Sequence, residues 1–355
     1  MPGRGNCAPA EPAYEARRDS EKRTSISFGH NWNLFMKKTA IKAIGWLITA
    51  SLMWVMFTRI DMRSLWAEIT RASWLHLAAA AVLNIAVILL KSLRWQVMMR
   101  PKKRASYRGI FKATMMGLAA NNVLPVRGGD WLRIYLLGKW ERVSRTMLAS
   151  ITGLDKLFEG LAILILFGLL SLHSTFPEWV LKGTVIVSMI TAVSLLICIL
   201  LMFHHKRTSK KEQDVAGKIS RLADRLGSGM LMLASSRLIL ATLALSIVIV
   251  LLQVETIRLC QLAFDIHSPL WIPALVFVAI NLAIIIPSAP SGLGPFEAAG
   301  VLAYSWLGIS SALGLGITLC YHAVQFIPVT VAGAIMYLVE IRPGTRRELK
   351  LKAQS

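Results

Sequence analysis

The residues of this chain that could do chemistry fall in three places, each an interruption of apolar sequence. The first is NNVLPVRGGDWLR, Asn121 to Arg133, which sets Arg127, Asp130 and Arg133 around Pro125 and the pair Gly128 and Gly129. The second is TGLDKLFEG, where Asp155 and Glu159 stand four apart and Lys156 three before Glu159, so that one helical face gathers the charges. The third is IIIPSAPSGLGPFE, with Pro290, Gly292, Gly294 and Glu297, followed by His322 in the last apolar run. A charge at the centre of a bilayer costs roughly 2.5–3.5 kcal/mol on insertion scales. Irregular backbone at that depth survives only where protein buries it or water reaches it. Such breaks therefore belong on a wet cleft. Arg127 and Arg133 offer forked donors that match a phosphate, helix N-termini attract anions, and glycines let backbone approach closely. Asn121 and Asn122 add amides beside them.

Bland alternatives accompany each of these residues. Arg127 and Asp130 could close the hairpin as an internal ion pair. Asp155 and Glu159 require a nearby cation, Arg127 or Arg133. Lys91 and Arg94 read as snorkelling side chains at the inner end of a span. Glu255 and Arg258 read as an interfacial pair. His322 equally fits a helix–helix hydrogen bond. No cofactor motif and no metal-ligand spacing is present; Cys7, Cys198, Cys260 and Cys320 lie far apart. P-loop, nucleophile-elbow and zincin signatures are missing, and the longest internal loop is too short for a catalytic domain.

The elements that must position these groups are transmembrane. The 355 residues are 55% hydrophobic and 17% charged, with a mean hydropathy of +0.56. That pattern excludes a soluble or disordered chain and indicates an all-α polytopic membrane protein. The net charge of +21 sits in short stretches flanking apolar runs, which assigns it to topology and anionic headgroups and not to nucleic acid. Apolar runs near 41–58, 75–95, 147–171, 180–203, 236–257 and 312–339 make about six full spans. Two further runs, 109–138 and 270–307, are broken by Pro and Gly and have flanks that return to the same side, so they read as re-entrant helical hairpins.

Basic residues place both termini in the cytoplasm. Residues 1–39 form an N-terminal tail, 40–172 a first membrane repeat, 173–340 a second, and 341–355 a basic C-terminal tail. The order span, span, hairpin, span recurs with opposite sidedness, an inverted-topology repeat. Each break also runs Asn, Pro, two glycines and an acid; Asn281 is the counterpart of Asn121. In the loop 204–235, KISRLADRLGSGMLML has Ile219, Leu222 and Leu226 at helical spacing, fitting either a surface helix or a solvated connector. Tryptophans 32, 46, 54, 66, 74 and 179 fall near span boundaries, as an aromatic belt does.

NNVLPVRGGDWLRIYLL together with IPSAPSGLGPFEAAGVL resembles the transmembrane region of lysylphosphatidylglycerol synthases, over about 40–340. The first break carries that family's Asn, Pro, Arg, Gly, acid and Arg at Asn121 or Asn122, Pro125, Arg127, Gly129, Asp130 and Arg133. The second carries its Pro, Gly, Gly and Glu at Pro290, Gly292, Gly294 and Glu297, with Ser291 where Gly is usual. Asp155-Lys156 stands in place of a Glu-Arg pair, and His322 where Arg is common.

The resemblance implies a stand-alone flippase domain of a bacterial inner membrane, without aminoacyl transfer. It would move an anionic phospholipid or polyprenyl-linked lipid between leaflets, and is expected not to be an enzyme. Arg127 or Glu297 changed to Ala is expected to stop transfer and leave folding largely intact. A membrane-embedded enzyme on lipid-linked glycans and an accessory subunit of cell-envelope synthesis stay open as alternatives. A homo-oligomer and a glycosyltransferase stay open as partners.

Overall fold

The computed structural model describes residues 45–101, 103–124, 128–172, 176, 178–207, 226–227, 229–285 and 288–352. Among these the chain is helical throughout, without strands. The helices are α1 (45–59), then α2 (Met62–Arg71), α3 (Trp74–Met99), α4 (Tyr107–Val123), α5 (Gly128–Trp140), α6 (Arg145–Ser171), α7 (Glu178–Arg207), α8 (Ser236–Ala263), α9 (Trp271–Ala283), α10 (Pro295–Trp306) and α11 (Ser311–Lys352). Trp74–Met99, Glu178–Phe203, Ser236–Ala263 and Ser311–Glu340 are long and apolar enough to cross a membrane. The 27-residue α6 has the length too, but carries Asp155, Lys156 and Glu159 near its middle. The protein is thus an all-α polytopic membrane protein.

Two elements differ from the sequence expectation. The stretch between the runs expected at 41–58 and 75–95 contains α2, whose N-cap Asp61 accepts from the backbone of Arg63 and Ser64. A carboxylate there satisfies donors that the first helical turn otherwise leaves free. The expected C-terminal tail continues α11 as far as Lys352; its Arg, Glu, Leu and Lys are strong helix formers. The segment carrying Ile219 and Leu222 lies outside the described residues, as do Trp32 and Cys7.

Between helices in lipid there is little hydrophobic driving force, so association rests on close packing and polar contacts. The long helices α3 and α8 pack along one another at the centre. One core gathers around α3–α6 with Trp95, Met116, Leu137 and Ile151; a second gathers around α8–α11 with Ile257, Phe277, Tyr304 and Ile317. Small residues bring α4 against α11, where Gly333 meets Ala119 and Met115. Outward faces are apolar: Ile186, Met189, Val193, Leu196 and Leu200 of α7 are each at least half exposed. Trp54, Trp66 and Trp74 are also exposed.

Candidate functional site

The first break is built by its own side chains. Leu124, which precedes Pro125, is extended (ψ 137°), because the proline ring disfavours helical backbone before it. α5 then folds back antiparallel along α4, with Gly117 facing Gly129 and Arg133, and Gly109 facing Glu141. A Cβ on Gly129 would collide with the Gly117 carbonyl and the Asn121 backbone nitrogen, so only glycine fits. Asn121 Oδ1 accepts from the Gly129 N–H at 2.8 Å, and its Nδ2 donates to Asp130 Oδ1 at 3.2 Å. Asn122 Nδ2 ties the hairpin to α11 through Thr330 Oγ1 at 2.8 Å and the Phe326 carbonyl at 3.4 Å. Pro125 and Arg127 lie outside the described residues. Among the described residues, the partner of Asp130 is Asn121.

The second break is held differently. Gly292 (φ +85°) and Gly294 (φ +91°) take left-handed backbone that favours glycine, and Ser291 does so at φ +61°. Pro295 opens α10, where its missing N–H costs nothing. Glu297 Oε2 accepts the Gly294 N–H at 2.8 Å, and its Oε1 lies 2.5 Å from His322 Nδ1 on α11. Thr49 of α1 bridges the turn: its hydroxyl donates to the Leu293 carbonyl and accepts from the Ala289 N–H. Among the described residues, Asn281, the sequence counterpart of Asn121, donates only back to the Phe277 carbonyl of its own helix. The two breaks therefore share residue types but not roles. At each, one glycine amide (Gly129, Gly294) is already taken by a side chain of the same hairpin.

Between the breaks lies a ladder of charge on α6. Asp155 Oδ1 is 2.8 Å from Arg94 Nη2, and its Oδ2 is 3.4 Å from Arg133 Nη2. The first is a charge contact whose angle falls outside hydrogen-bond geometry, since Oδ1 accepts no hydrogen bond. One turn on, Glu159 holds Lys91 at 3.4 Å and Lys156 at 3.0 Å. Arg94, only 1% exposed, is pinned further by Ser246 Oγ at 2.8 Å. The Arg133 guanidinium carbon lies 3.5 Å over the centre of the Trp95 ring, a cation–π arrangement. Snorkelling of Lys91 and Arg94 is thereby corrected. Both turn inward, because α6 places a carboxylate opposite each. The sequence singles out these two cations by their three-residue spacing in an apolar run, but gives no sign that their partners lie on α6.

A cavity of about 700 Å³ joins these features. It is lined by Asn121, Asn122, Asp130 and Arg133 from the first hairpin, and by Asp155, Lys156 and Glu159 from α6. Lys91, Arg94, Pro290, Ser291 and Gly292 line it as well. Gly128, Gly129 and Gly294 shape the hairpins without lining it, and Glu297 and His322 are also absent from its wall. Glu297 is 1% exposed and serves as a cap and a tie to α11. Its removal would free the Gly294 N–H and His322, so this site points to a loss of stability in Glu297→Ala. Glu255 and Arg258 pair with each other at 2.8 Å, away from the cavity.

The family model for the lysylphosphatidylglycerol synthase TM region matches residues 42–333. A relative from Methanothermobacter thermautotrophicus, named a UPF0104 membrane protein, is 25% identical over 247 residues, covering 63% of this chain and 72% of the relative. With both hairpins and the charged α6 inside the matched span, the chain belongs to the family of the lysylphosphatidylglycerol synthase TM region.

Proposed function

We propose that the protein is a lipid translocase that carries a phosphorylated headgroup through this cavity while the lipid tails stay in the bilayer. The supporting observation is the α6 ladder, in which Lys91, Arg94, Lys156 and Arg133 surround two carboxylates, Asp155 and Glu159. Shared carboxylates leave the cations with residual charge, and an anionic headgroup completes it. The short hairpin helices fit the same reading. At about 1.5 Å per residue a 13-residue helix such as α5 or α9 reaches about 20 Å, short of a hydrocarbon core of about 30 Å. Each hairpin then enters and leaves by one face, from opposite leaflets, and the breaks meet near the midplane. Cytoplasmic termini are the reading that the placement of basic residues supports, and a bacterial inner membrane is what the family resemblance implies.

The test is leaflet transfer of fluorescent phosphatidylglycerol in proteoliposomes, read by quenching the outer label. Wild-type protein is expected to expose the inner label faster than protein-free vesicles do. Arg133→Gln is expected to slow transfer about tenfold or more, the scale of a lost charged hydrogen bond. The lipid should be recovered chemically unchanged; a hydrolysed or glycosylated product would instead place the protein among enzymes. A wild-type rate equal to that of empty vesicles would sink the proposal.

A further inference from the structure

A second cavity, of about 480 Å³, lies at the elbow between α3 and α4 and shares no lining residue with the first. Gln96, Arg100, Arg104 and Ala105 line it. Arg100 directly follows the apolar span Trp74–Met99. At about 1.5 Å per residue the 26 residues of that span reach about 39 Å, enough to carry the elbow through a hydrocarbon core of about 30 Å to the level of the headgroups. The elbow is a fixed turn. Gln96 Nε2 donates to the Ala105 carbonyl at 3.1 Å, the Lys103 N–H to the Met99 carbonyl at 3.0 Å, and the Ser106 N–H to Glu141 Oε1 at 3.1 Å.

Charge is arranged here unlike in the ladder of α6. There Lys91 and Lys156 share Glu159, and Arg94 and Arg133 share Asp155. At the elbow Arg100 and Arg104 are exposed, and their side chains have no carboxylate partner among the described residues. No acidic side chain lines the cavity, and Glu141, the acid that reaches the elbow, is engaged with Ser106. Cations past the end of a span also set topology and complement the C-terminal end of a helix. Both of those jobs need charge alone; neither needs two guanidinium forks lining one cavity.

We propose that the elbow cavity binds a doubly charged phosphate group that stays at the membrane surface and is not carried across. The lining bears two positive charges and no negative one, so a dianion neutralises it. Guanidinium forks match phosphate oxygens in pairs. Basic pockets at the cytoplasmic ends of spans take such headgroups, and the basic residues assign this end to the cytoplasm. Cardiolipin, with its paired phosphodiesters, and phosphatidic acid, a phosphomonoester, bring this chemistry from the leaflet; pyrophosphate brings it from solution. Because the elbow leads directly into α4, an occupant braces the entry of the first hairpin. Binding here is independent of leaflet transfer.

The test is native mass spectrometry of the full chain in detergent, titrated with cardiolipin, phosphatidic acid, phosphatidylglycerol, phosphatidylcholine or pyrophosphate. At least one dianion is expected to bind about tenfold or more tighter than phosphatidylglycerol, the scale of one charged hydrogen bond. Tight lipid binding without pyrophosphate binding names the leaflet as the source, and pyrophosphate binding as tight as that of the lipids names solution. The pair Arg100→Gln and Arg104→Gln is expected to bring the affinity ratio, dianion over phosphatidylglycerol, close to one. Arg100→Lys with Arg104→Lys keeps charge and topology but loses the forks, and its ratio is expected to fall between the two. Arg133→Gln, which alters the other cavity, is expected to keep the wild-type ratio. Each ratio is taken within one protein, so any loss of folded material cancels. Phosphatidylglycerol bound as tightly as the dianions, a ratio that survives the Gln pair, or one that disappears in Arg133→Gln would overturn the proposal. A Lys pair equal to wild type would reduce the site to general surface charge and overturn it as well.

Discussion

Asp155→Asn removes the carboxylate that two buried guanidinium groups share. At separations of 2.8 and 3.4 Å, Coulomb's law with an effective dielectric of roughly 20 gives about 6 and about 5 kcal/mol of gross attraction. Desolvation of the three charges offsets most of that gain. The amide leaves Arg94 with Ser246 and Arg133 with the Trp95 ring, neither of which neutralises it. Removing one partner of a buried pair then costs about 3–5 kcal/mol. The assay is reversible unfolding in mixed detergent micelles, comparing Asp155→Asn, Arg94→Met and the double variant. The double variant is expected to lose clearly less than the sum of the single losses, since Met leaves one fewer orphaned charge. A loss under about 1 kcal/mol for Asp155→Asn, or strict additivity with Arg94→Met, would show that this carboxylate does not hold the cations in place.

Other perturbations probe the two breaks and the outer helix. Glu297→Ala uncaps Gly294 and frees His322, and is expected to cost about 3 kcal/mol of stability in the same unfolding assay. Gly129→Ala pushes α5 off α4 and is expected to cost about 2 kcal/mol or more, with a matching loss of transfer. Thr49→Val keeps the shape but deletes both hydrogen bonds to the second break, costing about 2 kcal/mol. Asp61 is held below its ordinary range by the Ser64 hydroxyl and then by the Arg63 N–H. Because the folded value is the lower one, its contribution is complete above about pH 3.9 and fades as pH falls through the folded value. Trp66 fluorescence on α2 should report that fraying in acid, and should not in Asp61→Asn, which caps without titrating.

Much of the scaffold was legible because the bilayer fixes helix length. The run read at 236–257 is the core of α8, and the broken runs at 109–138 and 270–307 are the hairpins α4–α5 and α9–α10. Asp155, Lys156 and Glu159 announced themselves as charges inside an apolar helix. Periodicity locates a residue along its own helix but says nothing of the residue across from it. Hence Lys91 and Arg94 were read as reaching for headgroups when their partners lay on α6. The same limit hid Thr49, an unremarkable hydroxyl in an apolar run whose partners lie on a distant loop. The likeness of the two breaks was real in composition, yet Asn121 caps a neighbouring helix whereas Glu297 caps its own. Residue type alone does not distinguish these jobs.

The bridge from Thr49 to the second break bears on biogenesis. Its hydroxyl is bonded to Leu293 and Ala289, 244 and 240 positions later in the chain. During synthesis α1 emerges first and must wait, its polar group unmatched, until most of the polypeptide has been made. A ribosome that stalls before the second hairpin thus leaves the leading helix without its mate, a defect that quality-control proteases could recognise.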